Sequence, residues 1–332
     1  MSASIASNLT LKQILAPVAG DIEQIDDVLR SIGTVDYPLL QQGMEAIIAA
    51  GGKRLRPAIL FLVAKFNRYD MERLLPMSAA IELLHTATLV HDDTIDRALM
   101  RRGLPTLNTF LDEGTTVLAG DYLFAKSAVL STMGGVQRAT RIFAEALVAI
   151  CEGELEQKFS SKHLHTSRDR YYKRIYSKTA ALFAAAAEIG AVLSDAPEDE
   201  VQSLRQYGRQ IGMAFQVIDD ILDMQATSQE LGKPSGADLR QGTVTLPTML
   251  YLASASESDH EAVRRLVEDE DRYDELADEI IAKIARSGAL DEAHRVARQF
   301  ADEAKAALVA FPDTPAHKSL LDLADFAVER SF

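Results

Sequence analysis

Residues 83–103 read LLHTATLVHDDTIDRALMRRG. An apolar run from Ile81 to Val90 with helical spacing ends in Asp92, Asp93 and Asp96. On a helix, Asp92 and Asp96 are four apart and share one face. Residues 212–225, GMAFQVIDDILDMQ, repeat the arrangement: Asp219, Asp220 and Asp223 take the same DDxxD spacing on another apolar helix, and Asp219 and Asp223 share a face. Outward from these two stretches the chain reads as helix after helix. Ala, Leu, Glu and Arg dominate with apolar spacing of three and four, as in Ile22, Ile25, Val28 and Leu29, and period-two runs of Val, Ile and Thr are absent. Asp36 with Pro38 opens a helix that Gly51-Gly52 closes, and Pro57 opens the next. Asp195 with Pro197, and Thr314 with Pro315, read as N-cap and first-turn pairs. No proline interrupts the chain between Pro105 and Pro197, which suits long helices. No fixed-period repeat and no Gly, Ser or Pro-rich linker divides it. The expected fold is all-α: a single large helical domain over 1–332, with a more charged outer layer in its last ~80 residues.

Composition narrows the function. The chain has 332 residues, 35 Lys and Arg against 49 Asp and Glu, and a net charge of −14. That balance argues against a general binder of nucleic-acid backbone, while leaving room for a small basic site. A single cysteine, Cys151, rules out an internal disulfide and a Cys-based zinc cluster and points to a reducing compartment. The N-terminus lacks a basic start followed by an apolar run. The most apolar stretch, Ala180 to Leu193, is interrupted by Glu188 and is too short to span a bilayer. A cytoplasmic protein without a transmembrane segment is expected, with peripheral membrane contact left open.

Two carboxylates one turn apart repel each other, and late in an apolar helix they also lose hydration. A hard divalent cation resolves both problems. Mg²⁺ takes oxygen ligands, keeps several waters, and is held by one or two carboxylates plus substrate phosphates. Two such helices facing each other can hold several Mg²⁺ ions around a diphosphate. The competing account is a solvated acidic face. Asp26-Asp27 shows that such pairs are frequent in this chain, and there Arg30 stands where a third aspartate belongs. Two complete copies, each after an apolar run, favour the metal.

A diphosphate also needs cations. Gly51-Gly52-Lys53-Arg54-Leu55-Arg56-Pro57 joins a Gly pair to three cations at a helix start, where backbone N–H groups favour an anion. Arg101-Arg102-Gly103 follows the first acidic cluster, and Tyr176-Ser177-Lys178-Thr179 and Leu231-Gly232-Lys233-Pro234 add isolated cations. Each alone reads as a surface cation, and Arg54 and Arg97 are left so. His85 and His91 flank the first cluster; six residues apart, without Cys or a third His, they do not make a zinc site. His91 reads as a helix-face residue bonded to a neighbour. His85 either contacts a phosphate or is structural.

Taken in order, GGKRLRP, HDDTIDRALMRRG, GDYLFAKS, YSKTAALF, FQVIDDILD and GKPSGADLRQGTVTLP resemble the trans-isoprenyl diphosphate synthases, or polyprenyl synthetases, over roughly residues 35–255. The resemblance implies the all-α isoprenoid synthase type I fold around a central cavity, a homodimer, and stepwise addition of isopentenyl diphosphate to an allylic diphosphate with several Mg²⁺ ions per site. It implies that Asp92 and Asp96 ligate Mg²⁺ with Asp93 in support, and that Asp219 is the main ligand of the second motif, with Asp220 and Asp223 near it. Arg101, Lys178, Thr179, Gln216 and Lys233 hold the allylic diphosphate or its metals. Lys53, Arg56, His85 and Arg102 hold isopentenyl diphosphate. One departure is Thr243, in GTVTLP, where many short-chain members carry Lys. The implied chemistry needs no side-chain nucleophile. The allylic C–O bond breaks, cations stabilise the departing diphosphate, a dry cavity protects the carbocation, the double bond of isopentenyl diphosphate attacks it, and the released diphosphate takes the proton.

Product length depends on the depth below the first aspartates. Thr88 and Ala87, four and five residues before Asp92, lie about one turn deeper on the helix. In the family, farnesyl-type and many geranylgeranyl-type enzymes are similar in placing an aromatic floor there, whereas Ala87 leaves it open. The reading is a long-chain all-trans product, about six to ten isoprene units (C30–C50), with Leu84 and Phe143 either forming a lower floor or serving as plain core. The alternatives are a geranylgeranyl or farnesyl diphosphate synthase, a non-catalytic subunit of a heteromeric synthase, and a terpene cyclase. Both acidic motifs are complete, against the subunit reading, and FQVIDDILD has the prenyltransferase form, against the cyclase.

Overall fold

A computed structural model describes residues 9–32, 37–49, 52–101, 103–160, 164, 167–225, 235–269 and 274–330. The chain is all-α. In order the helices are α1 (Leu11–Ile14), α2 (Ala19–Ile32), α3 (Pro38–Ala49), α4 (Leu55–Ala64), α5 (Met71–Ile95), α6 (Glu113–Met133), α7 (Gln137–Ser160), α8 (Arg168–Ile175), α9 (Ala181–Leu193), α10 (Glu198–Gln225), α11 (Ala237–Arg240), α12 (Leu246–Leu252), α13 (Glu257–Glu268), α14 (Asp274–Arg286), α15 (Ala289–Ala306) and α16 (Pro315–Glu329). A π-helical turn, Tyr176–Ala180, joins α8 to α9. The strand-poor sequence does form one small ribbon: β1 (Met100–Arg101) pairs antiparallel with β2 (Leu104–Pro105), turned by Gly103 at φ 77°.

Two compact units are present. The first comprises 1–147, 182–208 and 307–323. Its centre is α4, in which Leu55 and every residue from Pro57 to Ala64 are buried. That is why LRPAILFLVA is apolar all round rather than amphipathic. Helix α5 packs on α4 and runs along α6. A Cβ on Gly190 of α9 would lie 2.5 Å from the Leu60 carbonyl oxygen, so glycine is what lets these two backbones approach. The second unit comprises 148–181, 209–306 and 324–332. Tyr171, Ile175, Val217, Ile218, Ile221, Leu246, Val263, Ile280 and Ile284 belong to its core. Each such apolar side chain, fully buried, contributes about 1.5–3 kcal/mol.

Of the helix signals, Asp36 and Gly51 lie outside the described residues, and α4 begins at Leu55, two residues before Pro57. Thr314 caps α16 by accepting from His317 N–H at 3.2 Å. Asp195 caps nothing: it takes φ 60°, and its carboxylate meets Arg68 and Arg73 at 3.4 and 3.3 Å. Helix α10 begins three residues later, at Glu198. One helical stretch, 168–193, has the length and hydropathy of a membrane span, but 78% of its apolar window is buried in protein, as in a core helix.

Candidate active site

Helix α5 presents the first acidic cluster at its C-terminal end, with Asp96 as C-cap. Three carboxylates there also oppose the partial negative charge of the helix terminus. The three differ in setting: Asp92 is half-buried, Asp93 buried and Asp96 exposed. Asp93 is claimed by Arg101, whose Nε donates to its two oxygens at 2.9 and 3.0 Å. Burial pushes the Asp93 carboxyl up, and Arg101 opposes that shift. The ribbon after α5 brings Arg101 back to the helix. Asn108 Nδ2 donates to the carbonyls of Asp93 and Ala98, each at 2.8 Å, and Thr106 Oγ1 donates to Ala98 O at 2.6 Å. Asp92 and Asp96, one turn apart, flank it, half-buried and exposed respectively.

On the same helix His85 is half-buried. His91 sits beside the Val117 carbonyl at 3.2 Å, with its ring 5.1 Å from that of Phe124. Ala87 and Leu84 are fully buried, Thr88 is half-buried, and Phe143 on α7 is buried. At the start of α4, Lys53 is exposed, while Arg56 is half-buried with its guanidinium 4.4 Å from the centre of the Phe183 ring. Arg54 is not the surface cation expected of it. Its side chain is 9% exposed, bonded to Glu82 at 2.7 Å and Asp26 at 2.9 Å. Burial works against its charge, and the two carboxylates outweigh burial and raise its pKa.

In the second unit each aspartate of FQVIDDILD has a different partner. Asp219 Oδ1 accepts from Arg330 Nη2 at 2.6 Å, and the same guanidinium stacks 3.6 Å from the Phe215 ring centre. Asp220 is buried and accepts from Tyr171 OH at 2.7 Å and Gln216 Nε2 at 2.9 Å. Burial, and then the nearby Asp238, push its carboxyl up to about 8; the hydrogen bonds and Arg174 act the other way. Asp223 accepts the backbone N–H groups of Ala237 and Asp238, each at 3.2 Å, and so ties α10 to α11. The π-helical turn joins this network. Thr179 Oγ1 donates to Gln216 Oε1 at 2.6 Å, and Lys178 Nζ lies 2.9 Å from Glu154 on α7. A Cβ on Gly153 would meet the Ser177 Cβ at 2.7 Å, so glycine is what lets α7 pass this turn. Thr243 is half-buried, its N–H bonded to the Asp238 carbonyl at 2.8 Å. Arg102 and Lys233 lie outside the described residues.

The family profile described as polyprenyl synthetase matches residues 37–284. The chain belongs to the polyprenyl synthetase family. It is 36% identical over 324 residues to heptaprenyl diphosphate synthase component 2 of Geobacillus stearothermophilus, covering 98% of this chain and 100% of that one. It is 34% identical to the octaprenyl diphosphate synthase of Escherichia coli, over 97% of this chain and 99% of that one. Among solved structures, a polyprenyl synthase from Caulobacter crescentus, complexed with calcium and isoprenyl diphosphate, superposes with a TM-score of 0.92 at 35% identity, covering 97% and 98% of the two chains. Like its family, this protein is a prenyltransferase that elongates prenyl chains.

As a polyprenyl synthetase it offers hard carboxylate oxygens at both motifs. Among the described residues no three His, Cys, Asp or Glu side chains gather as a ready-made metal cage. Such a donor set fits a cation that takes one or two carboxylates and completes its shell with water and phosphate oxygens. Four residues escaped the sequence reading: Arg54, Glu82, Tyr171 and Arg330. Glu82 and Tyr171 carry no local signal, because an acid or a tyrosine on an apolar helix declares nothing about a partner 28 or 49 residues away. Arg330 is the last described residue, far in sequence from the motif it serves.

Proposed function

We propose that this synthetase condenses isopentenyl diphosphate head to tail with an allylic diphosphate in a Mg²⁺-dependent reaction. The product is an all-trans polyprenyl diphosphate of about six to ten isoprene units, drawn from the buried Ala87 one turn below Asp92. The observation that carries the reading is the pair Asp92 and Asp96, one turn apart at the end of α5, beside an Asp93 paired with Arg101. Asp92, Asp96 and Asp219 would hold the metal, whose positive charge would offset the charge developing on the departing diphosphate. Lys178, Thr179, Gln216, Arg101 and Lys233 orient the allylic diphosphate. Lys53, Arg56, His85 and Arg102 orient isopentenyl diphosphate, so that its double bond meets the allylic carbon as the C–O bond breaks. Relatives named octaprenyl and decaprenyl diphosphate synthase support a long product.

Product analysis tests this. Purified protein is incubated with Mg²⁺, labelled isopentenyl diphosphate and, separately, dimethylallyl, geranyl, farnesyl and geranylgeranyl diphosphates, and the dephosphorylated products are sized. The expected ladder ends near about thirty to fifty carbons, and Ala87→Phe shortens it by filling the space one turn below Asp92. A stop at fifteen or twenty carbons in the unaltered protein, or an unchanged ladder from Ala87→Phe, overturns the floor argument. A relative named "component 2" supports a second reading, in which activity needs another chain. No elongation with any primer from the purified chain alone is the result that favours it.

The family resemblance also makes a homodimer the proposed assembly. Leu118, Val129 and Met133 are exposed along one face of α6, as are Val148, Leu155 and Phe159 along one face of α7. Apolar stripes of this kind are covered in an assembled protein. Sedimentation velocity should show a dimer, and Leu118→Glu with Met133→Glu should shift it to monomer.

A further inference from the structure

We propose that Arg54, clamped by Glu82 and Asp26, is a positioning residue for isopentenyl diphosphate, fixing the entry into α4 that presents Lys53 just before the helix and Arg56 in its first turn. The inference rests on the reading of Lys53 and Arg56 given above.

Three observations lead to it. The first is the backbone: Arg54 stands at φ 47°, ψ 34°, a left-handed conformation that a non-glycine residue keeps only when its surroundings hold it. That twist turns its side chain inward between an exposed Lys53 and a half-buried Arg56.

The second is the clamp. Nη1 donates to Glu82 at 2.7 Å, while Nε and Nη2 donate to the same Asp26 oxygen at 3.1 and 2.9 Å. Three donors of one planar fork thus engage two acids, a geometry that a flexible ammonium does not reproduce. A Cβ on Gly52 would lie 3.3 Å from Glu82 Oε1, so the residue before Lys53 also bears on the clamp.

The third is where the acids sit. Glu82 is on α5, one turn before His85 and ten residues before Asp92. Asp26 is on α2, in the Asp26-Asp27 pair that reads from sequence as chance acidity. The clamp therefore fastens the start of α4, which carries Lys53 before it and Arg56 in its first turn, to the helix carrying the histidine proposed to share their ligand.

Stability alone does not explain such an arrangement. Desolvating a buried ion pair consumes much of the attraction it gains, and apolar residues of similar volume do as well or better. What the charged fork adds is one fixed register for the start of α4. A diphosphate gripped by cations from two elements needs that register, because small displacements cost binding and rate steeply.

The test is steady-state kinetics of the full chain, varying isopentenyl diphosphate and farnesyl diphosphate separately, with melting temperatures measured alongside. Arg54→Lys and Glu82→Gln should each raise KM for isopentenyl diphosphate by about tenfold or more, with KM for the allylic primer within about twofold. The double variant should be no worse than the worse single, since each removes the same clamp. Asp26→Asn, at the more exposed partner, should move the same KM by less and leave the melting temperature near that of the unaltered chain. If folded variants keep KM for isopentenyl diphosphate, or lose both KM values together, the positioning role is overturned. If Arg54 and Glu82 variants do not fold, Asp26→Asn decides alone. Lys53→Ala separates the two levels. An unchanged KM there overturns the reading of the α4 start, while a raised KM there with silent clamp variants overturns only the clamp.

Discussion

The two DDxxD motifs share a spacing and a buried middle aspartate, Asp93 in one and Asp220 in the other, and differ in the groups that answer their acids. Both lie at the C-terminal end of a long helix, after an apolar stretch, where carboxylates face lost hydration and the negative helix terminus together. At the end of α5 the problem is met by sorting. Asp93 is buried and paired with Arg101, while Asp92 stays half-buried and Asp96 exposed. At the end of α10 the three acids are each given a different partner: an arginine for Asp219, a tyrosine and a glutamine for Asp220, two backbone N–H groups for Asp223. Spacing sets which carboxylates share a face. Environment sets which of them carry charge and are available to a cation.

The largest effects should come from the carboxylates proposed for the metal. Asp92→Asn and Asp219→Asn should each lower kcat by at least about a hundredfold, as losing one preorganised electrostatic contact does. More Mg²⁺ should restore part of it, read from kcat against metal concentration. Full activity in either variant breaks the symmetry of the two motifs that the spacing suggests.

Gly153→Ala probes what supports the second motif. The added methyl meets Ser177 at 2.7 Å and the Lys178 nitrogen at 3.2 Å, so α7 or the π-helical turn must shift. The expected cost is about 1–3 kcal/mol in denaturant unfolding, with KM for the allylic primer raised. Unchanged stability and KM indicate that the turn yields freely.

The smallest effect is one of pH. Asp220 is raised to about 8 in the fold, chiefly by burial, from an ordinary value of 3.8. The folded chain therefore holds this proton more tightly than the unfolded one, and stability falls as pH rises between those two values. Asp220→Asn removes the loss. Its carbonyl still accepts from Tyr171, and a flipped Gln216 amide can take its N–H while donating to Thr179. With chelator present, the variant should melt higher than the unaltered chain at pH 8, and the difference should shrink toward pH 4. A difference independent of pH breaks the contrast with the first motif, where the matching buried acid, Asp93, is held by Arg101 instead.

Much of this was written in the order of residues. Helical periodicity, the doubled DDxxD and GGKRLRP are local patterns: a helix repeats every 3.6 residues, so spacing alone states which side chains share a face. The all-α class, the acidic clusters and the cationic stretches were legible for that reason. The ribbon at 100–105 was not, since two residues per strand make no pattern, and the side-chain ties from Asn108 and Thr106 to the end of α5 run across loops. Asp195 was misread as a cap because a residue type that caps helices also tolerates left-handed backbone. Arg54 was misread as surface because its acids lie 28 residues away on either side.

Sequence by itself thus determined the fold class and the family, and singled out the residues proposed here to meet a diphosphate and its cation. Tertiary structure alone decided which of six aspartates are buried, which are paired and with whom, and that Arg54 is buried between two acids rather than exposed. The physical reason is the range of the forces. Periodicity and capping act within a few residues, whereas desolvation and ion pairing depend on whatever the fold brings alongside, and no spacing along the chain records that.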